Sequence, residues 1–260
     1  MPGRRFLPRC LAGIFLLTLA TSAPSVARAQ PASCAPPAAA GPSGPLPVAA
    51  PSLRCGATRA TIEVRVAARA RPGAGRRVWT VPVATSWSAE PQVLLVLGST
   101  MRRGRQWLRV LLPIRPDGAS GWIPRDDATL SATRLWVTVD KTARAVKVYD
   151  RGRLIRRFKA VIGTPATPTP DGLAAIYEKD RQPDPAGFLG PWALPLTALS
   201  NVLYNFGGGP GRVAIHGRSG ASLLDPLGSA RSHGCIRIDN GPIVWMARHI
   251  PQGAPVLITG

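Results

Sequence analysis

The chain has 260 residues, which is enough to bury a sizeable core and to form two small domains. Its formal charge is +20, from 33 Lys and Arg against 13 Asp and Glu, and this excess suits an anionic envelope polymer or surface as a partner. The arginines are scattered along the sequence, which argues against nucleic acid. No stretch beyond the N-terminus is apolar and long enough to predict a membrane span.

The N-terminal residues predict export. Three arginines within the first nine residues precede an apolar run over 11–19, and Ala27-Arg28-Ala29 forms a small-x-small cleavage site. We interpret residues 1–29 as a secretory signal peptide, which leaves a charge of about +16 after removal. An uncleaved N-terminal anchor is the alternative. Either way the expected location is extracytoplasmic, in the cell wall or periplasm.

Three cysteines remain after this cleavage, namely Cys34, Cys55 and Cys235. Exported proteins meet an oxidising compartment, so a disulfide is expected. Cys34 and Cys55 could pair, which would leave Cys235 as a free thiol. A bridge from either of them to Cys235 is the alternative, and it would remove that thiol from any chemistry.

Residues 30–60 are mostly Pro, Ala, Gly and Ser, which predicts a linker without a core of its own. A strand is predicted over 61–70, and short strands recur between turns up to about residue 130. Trp107 followed by the sequence Gly-Trp-Ile-Pro at 121–124 resembles bacterial SH3-type domains, so we predict an SH3-like β barrel over 61–131. We expect Trp87, Trp107 and Trp122 to be core residues rather than exposed stacking groups.

A second β unit is predicted over residues 134–260. Alternating strands begin at Leu135, and a proline-rich extended loop covers 163–172. Residues 179–200 show no periodicity, so we interpret them as a lid or binding loop. A short helix is predicted from Pro242 to His249, followed by a final strand at 255–258. The fold class is therefore mainly β, with one short C-terminal helix.

His216 and Cys235 carry the strongest chemical signal in the chain. His216 ends a predicted strand, and Cys235 follows nineteen positions later within Ser-His-Gly-Cys-Ile-Arg. A thiolate attacks where a thiol does not, so a nucleophilic cysteine requires a base or an electropositive pocket. We expect Cys235 and His216 to form an ionised pair. Cys235 should then be alkylated at pH values well below roughly 8.5, the pKa of a free thiol. Zinc is disfavoured because the ligand number and spacing are wrong.

The unit from Ile215-His216-Gly217 to Ser232–Arg237 resembles the signature of the L,D-transpeptidases, the YkuD-type catalytic domain. The resemblance covers about residues 134–260 and includes Gly163-Thr164 and Thr169–Gly172. It implies that Cys235 is the nucleophile and His216 the proton donor and acceptor. The remaining assignments are the Gly217 carbonyl orienting His216, His233 supporting the site, the Gly234 amide donating to the oxyanion, and Ser232 and Arg237 binding substrate.

The implied reaction is acyl transfer through a cysteine thioester. The acyl group comes from the third residue of a stem tetrapeptide and passes to an amine, which forms a 3→3 cross-link in peptidoglycan. Alternatives are an L,D-carboxypeptidase, a transpeptidase that attaches wall proteins, a cysteine peptidase, and a non-catalytic wall-binding protein. Carbapenem β-lactams are the expected inhibitors, and neither metal nor cofactor is expected.

Overall fold

The computed structural model describes residues 1, 3, 34 and 48–260. The signal peptide predicted for 1–29 lies almost wholly outside the described residues, as does most of the predicted linker. Among the described residues, no helix is long and apolar enough to cross a membrane. Residues 34–260 form one compact unit.

Residues 57–133, here called the N-terminal β module, form a seven-stranded sheet of order β3-β2-β6-β5-β4-β1-β7. Apolar residues alternate along these strands, and the inward set packs into one cluster that includes Leu94, Leu108 and Ile123. Neighbouring strands of this sheet pair antiparallel. The strands are β1 (Ala57–Ile62), β2 (Val66–Arg71), β3 (Ala74–Val81), β4 (Val93–Arg102), β5 (Arg105–Leu111), β6 (Ser120–Pro124) and β7 (Ala128–Thr133).

Residues 134–260, here called the C-terminal β module, contain a five-stranded and a four-stranded sheet. Their orders are β10-β9-β8-β18-β12 and β13-β14-β15-β17, and β11 pairs with β16 separately. The elements are β8 (Leu135–Asp140), β9 (Ala145–Asp150), β10 (Arg153–Lys159), β11 (Ile162–Gly163), β12 (Gly172–Ala175), β13 (Asp180–Arg181), β14 (Trp192–Leu199), β15 (Arg212–His216), β16 (Ala230–Ser232), β17 (Ile236–Arg237), α1 (Asn240–His249) and β18 (Pro255–Thr259).

One apolar core holds both sheets of the C-terminal β module to α1. It combines Val137 and Val148 from the larger sheet, Leu194 and Ile215 from the smaller one, and Ile243 from the helix. Burial of this many large aliphatic side chains is the main stabilising contribution available to the module. It also gives β15 and β17 a fixed position, because both strands contribute side chains to this core.

Several sequence-based expectations differ from the structure. The strand predicted over 61–70 is two strands with a break at 63–65, where Val64 is exposed. Residues 179–200 are not one irregular lid, because β13 and β14 lie within them and β14 is buried along nearly its whole length. A continuous buried run lacks the alternation that marks a half-exposed strand, so periodicity could not find it.

The mainly β class with one short C-terminal helix is confirmed, while the SH3-like barrel and the domain boundaries stay predictions. The two modules share a small apolar contact among Leu95, Leu111 and Ala175. Buried Glu178 of the C-terminal module accepts hydrogen bonds from the Thr85 hydroxyl at 2.8 Å and the Trp87 amide at 3.1 Å. These contacts fix the loops of one module against the other.

Candidate active site

Parallel pairing of β15 and β17 brings the histidine and the cysteine together. Ile215 lies opposite Ile236, and His216 lies opposite Arg237. Successive residues of a strand point to opposite faces, so Cys235, two positions before Arg237, lies on the face that carries His216. The backbone of Ala214 hydrogen-bonds the Cys235 thiol, which places the sulfur beside β15. The nineteen-residue separation in sequence thus becomes a neighbour relation across two strands.

The imidazole of His216 is held by the chain itself. Its Nδ1 lies 2.7 Å from the Gly217 carbonyl oxygen, and because a carbonyl can only accept, Nδ1 carries the hydrogen. The neutral ring therefore presents Nε2 as its basic nitrogen. Any side chain at position 217 would collide with Asn240 Oδ1, so glycine is required where the chain turns away from the strand. This is the contact predicted for Gly217, while its role in catalysis stays a prediction.

Burial sets the charge state of His216. The side chain is 1% exposed, and desolvation lowers its pKa from 6.5 to about 4. The Arg237 cation on the neighbouring strand also lowers this pKa, and the hydrogen bonds to the Gly217 and Leu189 backbone oppose both effects. The resting imidazole is neutral at pH 7.

Among the cysteines that the structure describes, Cys235 is a free thiol, because Cys34 and Cys55 form a disulfide with a Cα–Cα distance of 5.0 Å. Burial raises the pKa of the Cys235 thiol, and the Ala214 backbone and the Arg237 charge offset only part of that shift. Burial disfavours both the thiolate and the imidazolium, so these pKa directions do not favour the expected ionised pair, which stays a prediction.

The loop at residues 163–169 forms hydrogen bonds to Ser232 and Gly234, which precede Cys235. Thr169 Oγ1 donates to the Gly234 carbonyl at 2.9 Å and accepts from the Gly163 amide at 2.9 Å. The Thr164 amide and the Thr167 hydroxyl both donate to the Ser232 carbonyl. Sequence analysis placed this loop near the motif by resemblance, but it did not assign Thr169 this role. In the sequence, Thr169 is only a threonine between two prolines, and this pattern does not predict a contact with Gly234.

Ser232 and Gly234 serve the backbone rather than a ligand. Ser232 is fully buried, and its Oγ donates to the Cys235 carbonyl at 2.6 Å while accepting from the Gly234 amide at 3.1 Å. These contacts give no support to the substrate-binding role of Ser232, which stays a prediction. The Gly234 amide is already engaged here, so it is not available to an oxyanion in this conformation. Gly234 itself has φ +113°, which few other residues adopt.

Arg237 is not available to bind a substrate carboxylate. Its side chain is 4% exposed and forms an ion pair with Asp225, and its Cζ lies 4.8 Å from the centre of the Phe188 ring. The bidentate substrate role expected for Arg237 would require this ion pair to open, and that role stays a prediction. Because Arg237 lies opposite His216, its charge acts on the site from within the sheet.

Two aromatic side chains that sequence analysis did not assign flank the two motif histidines. The Phe188 ring lies 6.1 Å from that of His216, and the Phe206 ring lies 5.6 Å from that of His233. Both phenylalanines are about half exposed. His233 is also exposed, which fits a supporting position at the mouth of the site. Isolated phenylalanines in loops carry no sequence periodicity, so only the fold identifies them.

Asn240 is a further residue that sequence analysis missed. Its Oδ1 accepts from the Arg218 amide at 2.8 Å, and its Nδ2 donates to Ser219 Oγ at 3.2 Å. It therefore ties the start of α1 to the chain that leaves His216 through Gly217. The sequence Asp239-Asn240 predicts a helix start, and the additional role follows from tertiary contacts alone.

The pKa directions of His216 and Cys235 give a testable prediction about alkylation. We expect the rate at which iodoacetamide alkylates Cys235 in the unliganded protein to rise with pH. The midpoint of that rise should lie above roughly 8.5, the pKa of a free thiol. Arg237→Gln should move that midpoint higher, because the Arg237 charge favours the thiolate, while Arg237→Lys should move it less. A wild-type midpoint below 7 would instead demonstrate a resting ion pair. Rates are measured by mass spectrometry of the modified cysteine between pH 5 and 10.

The sheets and the cysteine–histidine pair define a mainly β, cysteine-centred domain. Residues 134–258 match the family model of YkuD, the L,D-transpeptidase catalytic domain. The matched residues lie within the region, about 134–260, over which the sequence resembles that family.

Two curated relatives cover the same region. The YkuD protein of Bacillus licheniformis, whose assignment as an L,D-transpeptidase is itself an inference, is 32% identical over 123 residues. That of Bacillus subtilis, assigned in the same way, is 26% identical over 122 residues. Each match covers 47% of this chain and 64% of the relative. The chain thus spans a little under two thirds of the curated relatives it matches.

Solved structures of L,D-transpeptidases are also similar to this chain. L,D-transpeptidase 3 from Mycobacterium tuberculosis, in complex with a faropenem-derived adduct, is 15% identical. The match covers 68% of this chain and 93% of that one, with a TM-score of 0.40.

Proposed function

We propose that the protein is an exported peptidoglycan L,D-transpeptidase that uses Cys235 as its nucleophile. The observation that carries the proposal is the free Cys235 beside a carbonyl-anchored His216 on one face of β15 and β17, within the YkuD-type domain. A cysteine with an adjacent, oriented base is the arrangement that thiol acyl transfer requires.

The first half-reaction transfers the proton as the sulfur attacks. His216 Nε2 takes the Cys235 proton while the sulfur bonds to the carbonyl carbon of the third stem residue. We assign the contact with the developing oxyanion to the Cys235 amide, because the Gly234 amide already donates to Ser232 Oγ. The amide C–N bond then breaks, and His216 returns the proton to the departing D-alanine amine. A thioester remains on Cys235.

The second half-reaction reverses these roles. An amine of a neighbouring stem attacks the thioester, the C–S bond breaks, and the amine proton passes through His216 back to the sulfur. The product is a 3→3 cross-link, and the thiol is restored. Water in place of the amine gives the L,D-carboxypeptidase product from the same residues.

The direct test is incubation of the protein with a disaccharide-tetrapeptide. We expect D-alanine release together with a dimer whose mass corresponds to a 3→3 link, both detected by liquid chromatography and mass spectrometry. Release of D-alanine with only the tripeptide formed would assign the carboxypeptidase activity instead. Cleavage of casein without change in the tetrapeptide would favour a protein-directed peptidase.

Inhibition by carbapenem-type β-lactams is part of this proposal. A faropenem-derived adduct is present in the Mycobacterium tuberculosis relative, and the same Cys235 thioester chemistry would open a β-lactam ring here. The adduct should appear as a mass increase on the peptide that contains Cys235.

Export is supported by the Cys34–Cys55 disulfide, which requires an oxidising compartment to form and persist. The predicted signal peptide and the charge of about +16 after its removal agree with an extracytoplasmic location near an anionic envelope.

An arginine row on the N-terminal β module suits that anionic envelope. The row crosses four neighbouring strands, β3, β2, β6 and β5. Arg77 lies opposite Arg69, Arg69 lies opposite Trp122, and Trp122 lies opposite Arg109. All three arginines are exposed, and none forms an ion pair among the described residues. Like charges directly opposite each other on a sheet are destabilising, and an anion bound along the row would relieve that repulsion. Of the tryptophans expected in the core, Trp122 lies in this row and is partly buried, whereas Trp87 lies elsewhere, beside Tyr177, and is 49% exposed.

Removing the arginine row should weaken wall binding without affecting chemistry on a soluble substrate. We expect Arg69→Ala, Arg77→Ala and Arg109→Ala combined to lower the affinity for purified sacculi about tenfold at moderate salt, since each exposed ionic contact contributes modestly. Activity on a soluble tetrapeptide should be unchanged. The charge-matched control replaces three exposed arginines of β10, Arg153, Arg156 and Arg157. Equal losses in both triple variants would show that net charge, not the row, governs the binding.

A further inference from the structure

The loop between β14 and β15, residues 200–211, is held by polar contacts rather than by burial. Its neck closes through the Ser200 amide and the Gly211 carbonyl at 2.7 Å, and its tip turns at Phe206 and Gly209. Its large apolar side chains are exposed, with Tyr204 at 67% and Phe206 at 52%. A loop that buries so little apolar surface has a weakly determined conformation unless other contacts fix it.

Arg115 of the N-terminal β module supplies those contacts. Its Nη2 lies 2.9 Å from the Ser200 carbonyl, 3.3 Å from that of Leu203 and 2.9 Å from that of Pro210. The guanidinium also lies 4.5 Å from the centre of the Tyr204 ring. One side chain thus joins both sides of the neck of the 200–211 loop.

Two further contacts make the same turn of the N-terminal β module a rigid support. Asp117 Oδ1 accepts from the Leu199 amide at 2.9 Å, where β14 ends. Arg212, where β15 begins, donates to the Pro113 carbonyl at 3.0 Å. The two ends of the 200–211 loop are therefore both fastened to residues 113–117.

The tip of the 200–211 loop reaches the reaction site. The Phe206 ring lies against His233, two residues before Cys235, with a centroid distance of 5.6 Å. The contacts run from Arg115 through the loop neck to Phe206 and end beside the nucleophile.

We propose that Arg115 is a positioning residue, which holds the 200–211 loop so that Phe206 forms a wall over the Cys235 thioester. The inference rests on the proposed acyl transfer and concerns its second half. A fixed apolar wall excludes water from the thioester, while an amine held on a stem peptide still reaches it. The N-terminal β module thereby biases the partition between cross-linking, in which an amine breaks the C–S bond, and hydrolysis, in which water breaks it.

The test measures this partition in Arg115→Ala. We expect the ratio of 3→3 dimer to hydrolysed tripeptide to fall about tenfold, a loss typical of a misplaced positioning element. The rate at which the donor acylates Cys235 should stay within about twofold, since that step does not need the water-excluding wall. Arg115→Lys should give an intermediate ratio, because an ammonium lacks the planar fork that spans several carbonyls. The control is Arg65→Ala, an exposed arginine of the same module.

A double-mutant cycle identifies the route of the effect. Phe206→Ala should lower the same ratio, and adding Arg115→Ala to it should change little further, because both act through one loop. Fully additive losses, or an unchanged ratio in Arg115→Ala, would overturn the proposal.

Hydrogen exchange separates this inference from the proposed function. Amides of residues 200–211 should exchange faster in Arg115→Ala than in wild type without any substrate present, while the β15 amides stay protected. Equal exchange of the loop in both proteins would overturn the positioning role. A wild-type protein with a protected loop but no acyl transfer to any acceptor would overturn the proposed function instead.

Discussion

Replacing Cys235 by alanine is expected to abolish both cross-linking and hydrolysis of the stem tetrapeptide, by about 1,000-fold or more. Of the cysteines that the structure describes, Cys34 and Cys55 are joined to each other, so Cys235 is the free thiol among those residues. His216, with its Nδ1 held by Gly217, has no alternative nucleophile to activate. The loss should appear as an absence of D-alanine release, measured by mass spectrometry over long incubations.

Variants of the disulfide cysteines serve as controls for Cys235→Ala. Cys34→Ala combined with Cys55→Ala removes the bridge but leaves the nucleophile, so carbapenem should still add to Cys235 in that variant. Cys235→Ala should show no such adduct while retaining the wild-type fold by circular dichroism. A Cys235→Ala protein that still formed 3→3 links would refute the mechanism and favour a wall-binding role with another catalyst.

Acid should destabilise the folded protein through His216. Its pKa is about 4 when folded and near 6.5 when unfolded. Between these values the unfolded chain binds more protons, so the free energy of unfolding falls as pH decreases from 6.5 to 4. The difference of about 2.5 pKa units corresponds to a loss of about 3 kcal/mol, fully developed near pH 4 and absent above pH 6.5.

Chemical denaturation at a series of pH values measures this loss. His216→Gln should show a flatter dependence over the same window, because it has no group to protonate. His249→Gln, which alters an exposed histidine, should keep the wild-type slope. A wild-type stability that is constant between pH 6.5 and 4 would show that the His216 imidazole is not buried in the neutral form.

The sequence predicted the strands that alternate and the chemistry that a motif carries. Leu135, Val137 and Val139 recur at every second position and predict a strand, which is β8, and the predicted strand at 145–149 is β9. It failed at β14, because a strand buried on both faces has no alternation. It also failed at the short strands β16 and β17, which are too brief for any periodicity to register.

In the candidate site, too, some features were predicted from the sequence and others were not. The spacing of His216 and Cys235 predicted a neighbour relation, and the parallel register of β15 and β17 provides it. The pairing of Arg237 with Asp225 could not be predicted, because an arginine beside a cysteine is equally compatible with substrate binding. The partner of a buried arginine depends on which distant segment packs against it in the folded protein.

The sequence by itself identified the groups that can react, a cysteine and an imidazole at a strand end, within residues that resemble the YkuD signature, but it left the disulfide pairing open. Only the tertiary structure decided their charge states, since a pKa depends on how completely neighbouring elements exclude water. It also decided that Arg115, 120 residues before Cys235, holds the loop whose tip lies beside the nucleophile. Local sequence encodes strand period and residue type, whereas burial and contacts between modules arise only when distant segments pack together.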